Sequence, residues 1–284
     1  MDTHLRIGLP TKGRLAEDAS GLLKQAGLKF RRQDRSLFAK VSGLPIEIIF
    51  LRTDDIPVLC AESALDMGIT GGDCIEEAGV DLTTRLALGM GKCRLSVCVP
   101  HDSPAQSAKD LGNARIATSF TNVTQNYFNG LGSEVHLVPL SGSVEIMISL
   151  GVADAIVDLV ETGSTLVANK LRVLEDIGSY ETMLVQNSNV RLPEMADRIT
   201  RRLEGVVIAR SWSLLEYNVP RENLEKAFEI TPGFNSPTVN RLERDDWAAI
   251  RVMVKRKELN SVMDELEAID AKAILETQIS NCRL

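Results

Sequence analysis

A chain of 284 residues, 44% hydrophobic and 25% charged, is long enough for two or three domains with real cores. Its net charge of -7, with both signs interspersed, excludes a surface built to coat nucleic acid, although backbone N–H groups or a metal ion can still hold a small anion. No apolar run approaches the ~20 residues that span a bilayer, and the opening MDTHLRIGLP lacks the basic start and apolar core of a secretion signal. A cytoplasmic protein without membrane or nucleic-acid partners is therefore expected. Cys60, Cys74, Cys93, Cys98 and Cys282 form no CxxC pair, and no zinc-spaced cluster arises with His4, His101 or His136. Reduced thiols are expected.

The N-terminal part alternates strands and helices. LRIGLP (5–10) reads as a strand, and Leu15, Ala19, Leu22, Leu23 and Ala26 then recur at helical spacing up to Gly27. IEIIFL (46–51) is a second strand, after which Asp54 opens a helix with Pro57 in its first turn. DMGITGGD (66–73) is a short strand running into glycines, with Asp73 as a candidate N-cap. Such alternation predicts a mostly parallel sheet covered by helices. RLSVCVP (94–100), RIAT (115–118), VHLVPL (135–140) and AIVDLV (155–160) read as strands of a second α/β unit. LRVLEDIGSYETMLVQN (171–187) adds two strand-like runs, and a helix starts at Pro193. From Ser211 the order becomes βαββαβ, a ferredoxin-like split. Its helices carry Leu224, Ala227 and Phe228, then Leu259, Val262, Met263, Leu266 and Ile269, on their inner faces. Two α/β lobes joined by crossing strands leave a cleft, where ligands prefer to bind.

The stretch DLVETGSTL (158–166) lies at such a strand end. Consecutive N–H groups with the hydroxyls of Thr162, Ser164 and Thr165 suit a phosphate, and Gly163 permits close approach. Asp158 and Glu161 would repel that phosphate, so they are better suited to ribose hydroxyls or magnesium. The plainer alternative is a strand–turn–helix with Ser164 or Thr165 as the N-cap. In GLPTKGRL (8–15), Lys12, Gly13 and Arg14 follow a strand at a helix start, where dipole and side chains attract polyphosphate. Two ordinary surface cations are the alternative. Arg52 and Asp73, at other strand ends, read as a surface ion-pair member and a cap when taken alone, and Glu145 in SGSVE fits a capping box poorly.

The apolar-acidic-TGxT pattern resembles the 5-phosphoribosyl 1-pyrophosphate (PRPP) motif of phosphoribosyltransferases. The longer string SGSVEIMISLGVADAIVDLVETGSTLVANKL (141–171) resembles the ATP phosphoribosyltransferase family in its long form. GLPTKGRL, RTDDIP (52–57), DMGITGGD and TPGFNSPTV (231–239) fall in the expected order, so the likeness spans the chain. It implies a two-lobed, type II periplasmic-binding-protein-like core with a C-terminal ACT-like regulatory domain. Residues 1–90 and 184–210 would form a discontinuous first lobe, 91–183 the second, and 211–284 the regulatory domain. The implied reaction is the first step of histidine biosynthesis. It joins N1 of the ATP adenine to C1 of the phosphoribosyl group and needs Mg2+, with pyrophosphate leaving under inversion. Asp158, Glu161, Thr162, Gly163, Ser164 and Thr165 would bind PRPP. Lys12, Gly13, Arg14, Arg52, Asp73 and Glu145 would lie near ATP or pyrophosphate.

Histidine would inhibit through Asn218, Phe234, Ser236, Thr238 and Ala273. Phe234 and Ala273 also fit plain core. Relatives often carry aspartate at 218, and tyrosine and proline where this chain has Phe120 and Thr121. The resemblance also implies a homo-oligomer, dimer or hexamer. The alternatives are a non-catalytic two-lobed small-molecule sensor, marked by binding without turnover, and a regulatory subunit that kept the fold.

Overall fold

The computed structural model describes residues 4–33, 36–161 and 163–283. The chain begins with β1 (Leu5–Pro10), α1 (Gly13–Gln25), β2 (Phe38–Lys40) and β3 (Ile46–Leu51). Next come α2 (Asp55–Ala61), β4 (Met67–Gly71), α3 (Gly72–Ala78) and β5 (Thr83–Ala87). It continues through β6 (Cys93–Pro100), β7 (Arg115–Thr118), α4 (Thr121–Gly130) and β8 (His136–Pro139). After α5 (Ile146–Ser149) come β9 (Ala155–Val160), α6 (Ser164–Ala168), β10 (Leu171–Tyr180), β11 (Thr182–Gln186) and α7 (Pro193–Ser211). The last elements are β12 (Trp212–Pro220), α8 (Leu224–Ile230), β13 (Thr238–Arg241), β14 (Trp247–Lys255), α9 (Leu259–Ala268) and β15 (Lys272–Gln278).

Apolar periodicity explains these elements. In β1 and β3 nearly every residue is buried, the pattern of a strand covered on both faces. In β12 burial alternates strictly, the pattern of a sheet covered on one face.

Two compact units result. The first holds the described residues up to Gly21 and Lys29–Asp197, and the second holds Leu22–Leu28 and the described residues from Arg198 on. Within the first unit, one sheet has the order β2-β3-β1-β4-β11-β5 and another β10-β6-β9-β7-β8. The expectation of mostly parallel sheets is corrected. Only β3-β1-β4 and β9-β7-β8 run parallel, and the remaining pairs are antiparallel. The chain leaves the first sheet after β5 and returns in β11, and strands that cross between sheets enter against the direction of the parallel core. Leu88 N–H donates to Thr182 O and Thr182 N–H to Met90 O, both at 2.9 Å, so the two crossings are bonded side by side.

The second sheet packs Leu95, Val97, Phe128, Ala155 and Val157 on one face and Cys98, Ala117, Ile156 and Leu166 on the other. In the second unit the sheet order is β13-β14-β12-β15, the ferredoxin-like arrangement, with α8 and α9 packed on its buried face through Ala227, Leu259, Val262 and Leu266. All five cysteines are free thiols. Among the described residues no helix is long and apolar enough to cross a membrane.

Candidate active site

The carboxyl ends of β1, β3, β4, β7 and β9 all feed loops that face one cleft within the first unit. Its volume is about 460 Å3. Lys12, Arg14, Asp54 and Asp73 come from loops of the first sheet, and Phe120 and Glu161 from the second. Open crevices at the ends of parallel strands are where α/β proteins place ligands.

Two glycines shape the entry of the facing helices. Gly13 (φ 79°) starts α1 and Gly163 (φ 77°) precedes α6, a left-handed backbone that residues with a Cβ avoid. Gly163 takes the N-cap position and Ser164 is already helical, which corrects the alternative of a Ser164 or Thr165 cap. Thr162 lies outside the described residues.

Arg14 and Glu161 meet across the cleft. Arg14 Nη2 donates to both carboxylate oxygens of Glu161 at 2.8 Å. The pair joins the start of α1 to the loop after β9, 147 residues later. Both side chains are largely exposed, so the contact contributes little stability and is open to competition by an anionic ligand.

Asp158 is half-buried on β9, opposite Ser96 of β6. Burial raises its proton affinity, Glu145 nearby adds to this, and the Leu159 N–H at 2.8 Å opposes it. Neither Asp158 nor Glu145 lines the cavity, and neither do Gly163, Ser164 and Thr165. Arg52 also stands outside, exposed, with Asp54 at 3.5 Å.

Asp73 is buried in the first turn of α3. The N-cap is Gly71, which corrects the expectation that Asp73 caps the helix. Gly72 N–H donates to Glu181 O at 3.0 Å, and the helix starts two residues earlier than an Asp73 cap would set it. A Cβ on Gly71 would lie 2.0 Å from Asp73 Oδ1, so any other residue at 71 would force this carboxylate to shift. Burial raises the proton affinity of Asp73, its own N–H and that of Cys74 oppose this, and the charge of Asp54 adds to it.

The sign of the resulting pH dependence follows. An acid whose folded pKa is raised stabilises the fold fully below the ordinary carboxylate value of ~3.9, and that contribution is lost as pH rises through the raised value. Asp73→Asn is therefore expected to raise Tm at pH 7, with the gain shrinking towards pH 4. Thermal melts at the two pH values check this, and a lower Tm at pH 7 would mean that the N–H bonds dominate.

Residues that sequence reasoning did not assign to a site also line the cleft: Cys74, Cys93 and Thr182. Burial pushes the Cys93 thiol up to about 11, and Cys74 rises further beside Asp73 and Asp54, so neither is a nucleophile at neutral pH. Nothing local marks Cys93 or Thr182, because each owes its place to a strand crossing between sheets.

The second unit carries its own cavity of about 470 Å3. Asn218, Trp247 and Lys272 line it, with Arg244 stacked 5.1 Å over the Trp247 ring. Asn218 pairs with Lys272 next to a register shift, and Ala273 there adopts φ 52°. A β-bulge with a left-handed alanine is a strained feature of the kind found beside functional sites. Phe234 stacks edge-on against Trp212 at 5.4 Å. Trp212 lies six positions from Asn218 along β12, about 20 Å at ordinary strand rise. Phe234, Ser236, Thr238 and Ala273 do not line the cavity of Asn218. Phe234 and Ala273 are both exposed, so neither is plain core.

The family model described as ATP phosphoribosyltransferase (HisG) matches residues 52–205, and that of the HisG C-terminal domain matches 209–281. The ATP phosphoribosyltransferase of Rhodopirellula baltica is 62% identical over 283 residues, covering 100% of this chain and 95% of its own. A chain of the ATP phosphoribosyl transferase (HisG:HisZ) complex from Thermotoga maritima superposes with a TM-score of 0.61 at 30% identity, over 70% of this chain and 98% of that one. The substrate binding protein of an amino acid ABC transporter superposes with a TM-score of 0.50 at 14% identity, over 72% and 94%. The last likeness shows a fold only, that of periplasmic binding proteins. Matches spanning the whole chain, from the strand-end loops to the ferredoxin-like module, establish that this chain belongs to the ATP phosphoribosyltransferase family.

Proposed function

We propose that the cleft between the two sheets transfers the phosphoribosyl group of PRPP to N1 of the ATP adenine, with release of pyrophosphate. This is the first step of histidine biosynthesis, catalysed by a pentosyltransferase. The observation that carries the assignment is the Arg14–Glu161 contact, which brings the cationic helix start and the acidic loop to the same place. Residues 1–90 and 184–210 would act as one wall, 91–183 as the other, and 211–284 as the regulatory domain.

The chemistry follows from the charges. The N1–C1 bond forms as the bond from C1 to the pyrophosphate oxygen breaks, and the leaving group takes the electron pair. Positive charge builds on the ribose ring, with inversion at C1. Asp158 and Glu161 stabilise that charge and accept from the ribose hydroxyls, while N–H groups and hydroxyls of Thr162, Gly163, Ser164 and Thr165 hold the 5-phosphate. Arg14 and Lys12 neutralise polyphosphate, the α1 start and Gly13 let it approach, and Arg52 and Glu145 stand at the periphery. Asp73 and Asp54 are carboxylates, so they address hydrogen-bond donors of the nucleotide and not its phosphates. Positioning and electrostatics supply most of the rate.

Among the described residues no group of three or more His, Cys, Asp or Glu forms a metal cage. Two carboxylates, Asp158 and Glu161, fit Mg2+, which commonly keeps waters and substrate phosphate oxygens as its other ligands. Bound there, Mg2+ would neutralise the pyrophosphate.

In the C-terminal module Asn218, Phe234, Ser236, Thr238 and Ala273 would recognise histidine. Asn218 keeps a carbonyl acceptor for the ligand amine but lacks the charge of an aspartate. The distance along β12 between Asn218 and the Trp212–Phe234 stack supports a pocket completed by a second copy of the chain, and so a homo-oligomer.

Pyrophosphate release is expected only with ATP, PRPP and Mg2+ together, and histidine is expected to suppress it. Binding of PRPP without release would instead favour a sensor. Release insensitive to histidine would keep the enzyme and remove the effector pocket.

A further inference from the structure

Glu77 stands in the last turn of α3, where the helix dipole disfavours a carboxylate. Its charge is met from the other sheet. Asn122 N–H donates to both carboxylate oxygens at 3.0 Å, Val123 N–H to Oε2 at 3.0 Å, and the Thr121 hydroxyl to Oε1 at 3.1 Å. The Asn122 side-chain amide adds a bond to the Glu77 carbonyl at 2.8 Å. The carboxylate thus fills the N-terminus of the ten-residue α4 and takes up its orphan N–H groups. The neighbouring Glu76 accepts from the Tyr180 hydroxyl of β10 at 2.9 Å, so the end of α3 is clasped twice to the second sheet.

Both clasped helices begin in the cleft. α3 opens with Gly72, Asp73 and Cys74 on one wall, and Phe120 immediately precedes α4 on the other. Where the strands cross, the walls are tied through backbone at Gly72–Glu181 and Leu88–Thr182; away from the crossing, the Arg14–Glu161 tie uses groups that substrate would engage. We propose that Glu77 is a positioning residue: it holds the two walls at working separation after substrate has broken the Arg14–Glu161 contact. The Thr121 hydroxyl belongs to this clasp, and a proline at that position would not supply it. This role rests on the cleft being the site of the reaction.

A clasp that sets wall separation favours ground state and transition state alike, so its loss acts on KM. In the full-length enzyme Glu77→Ala is expected to raise KM for ATP and PRPP about 10-fold, with kcat within about 2-fold. Glu77→Gln keeps one acceptor oxygen and should fall between. Asn122→Ala, which removes one side-chain bond without touching the helix N–H groups, should shift KM in the same direction by less. Amide exchange in ligand-free protein gives a readout independent of turnover. Loss of a local cap speeds exchange only at residues 121–124, whereas loss of the clasp also speeds it at Gly71–Cys74 on the opposite wall. Unchanged KM with unchanged exchange at Gly71–Cys74, or a fall confined to kcat, would overturn the proposal. Faster exchange there with unchanged KM would keep the clasp and overturn the placement of the reaction in this cleft.

Discussion

Replacing Asp158 and Glu161 together by alanine is expected to lower kcat/KM for PRPP about 1,000-fold while the Kd for ATP stays within about 3-fold. Hydrogen bonds to charged groups contribute about 1.5–3 kcal/mol each once water is excluded, and two of them give a loss of this order. The fold should survive. The raised proton affinity of Asp158 means that the ionised carboxylate already strains its half-buried position, so its removal relieves a cost. Glu161 is exposed and bonds chiefly to Arg14. Freeing Arg14 leaves a cation available to the ATP phosphates, and this is why ATP binding should hold. Steady-state kinetics with each substrate varied, together with direct ATP titration, reads the difference. Equal loss for both ligands would mean that the acidic loop does not belong to PRPP.

Removing residues 211–284 is expected to abolish inhibition by histidine and to leave a folded pair of sheets. The second sheet and the face of the first sheet over α2 pack around clusters that draw on buried residues no later than Val185, and the C-terminal module packs its own cluster from Leu215 to Ala271. The buried α7 residues Ile199, Leu203 and Val206, grouped in one compact unit with Leu22–Leu28, are kept in the truncated chain. The cut takes only Ser211, the last residue of α7, so the rest of that helix stays. Circular dichroism and gel filtration of the truncated chain report folding and assembly, and pyrophosphate release with and without histidine reports the effector. Inhibition that persists in a folded truncation would refute the regulatory role of the module.

Much of this was legible in the sequence because it depends on near neighbours along the chain. The apolar spacing of Leu259, Val262 and Leu266 predicts the helix that forms. The turn after β9 could be read because glycine, hydroxyls and acids are adjacent in 158–165. Strand direction could not. Whether β11 runs with or against β4 is decided by where the chain comes from, and the crossing from the second sheet brings it in antiparallel.

By itself, then, the sequence determined the strand and helix periodicities, the βαββαβ module and the chemical character of the strand-end loops. Each follows from interactions within a few residues. Only the tertiary structure decided which of those loops face one another. Arg14 reaches Glu161, and Glu77 reaches the start of α4, across 147 and 45 residues of chain. Asp73 became a buried carboxylate and not a cap because the helix starts at Gly72 and Gly71, without a Cβ, leaves space for its carboxylate. These outcomes turn on the mutual burial of apolar faces from distant segments, which brings polar groups together that no local pattern pairs.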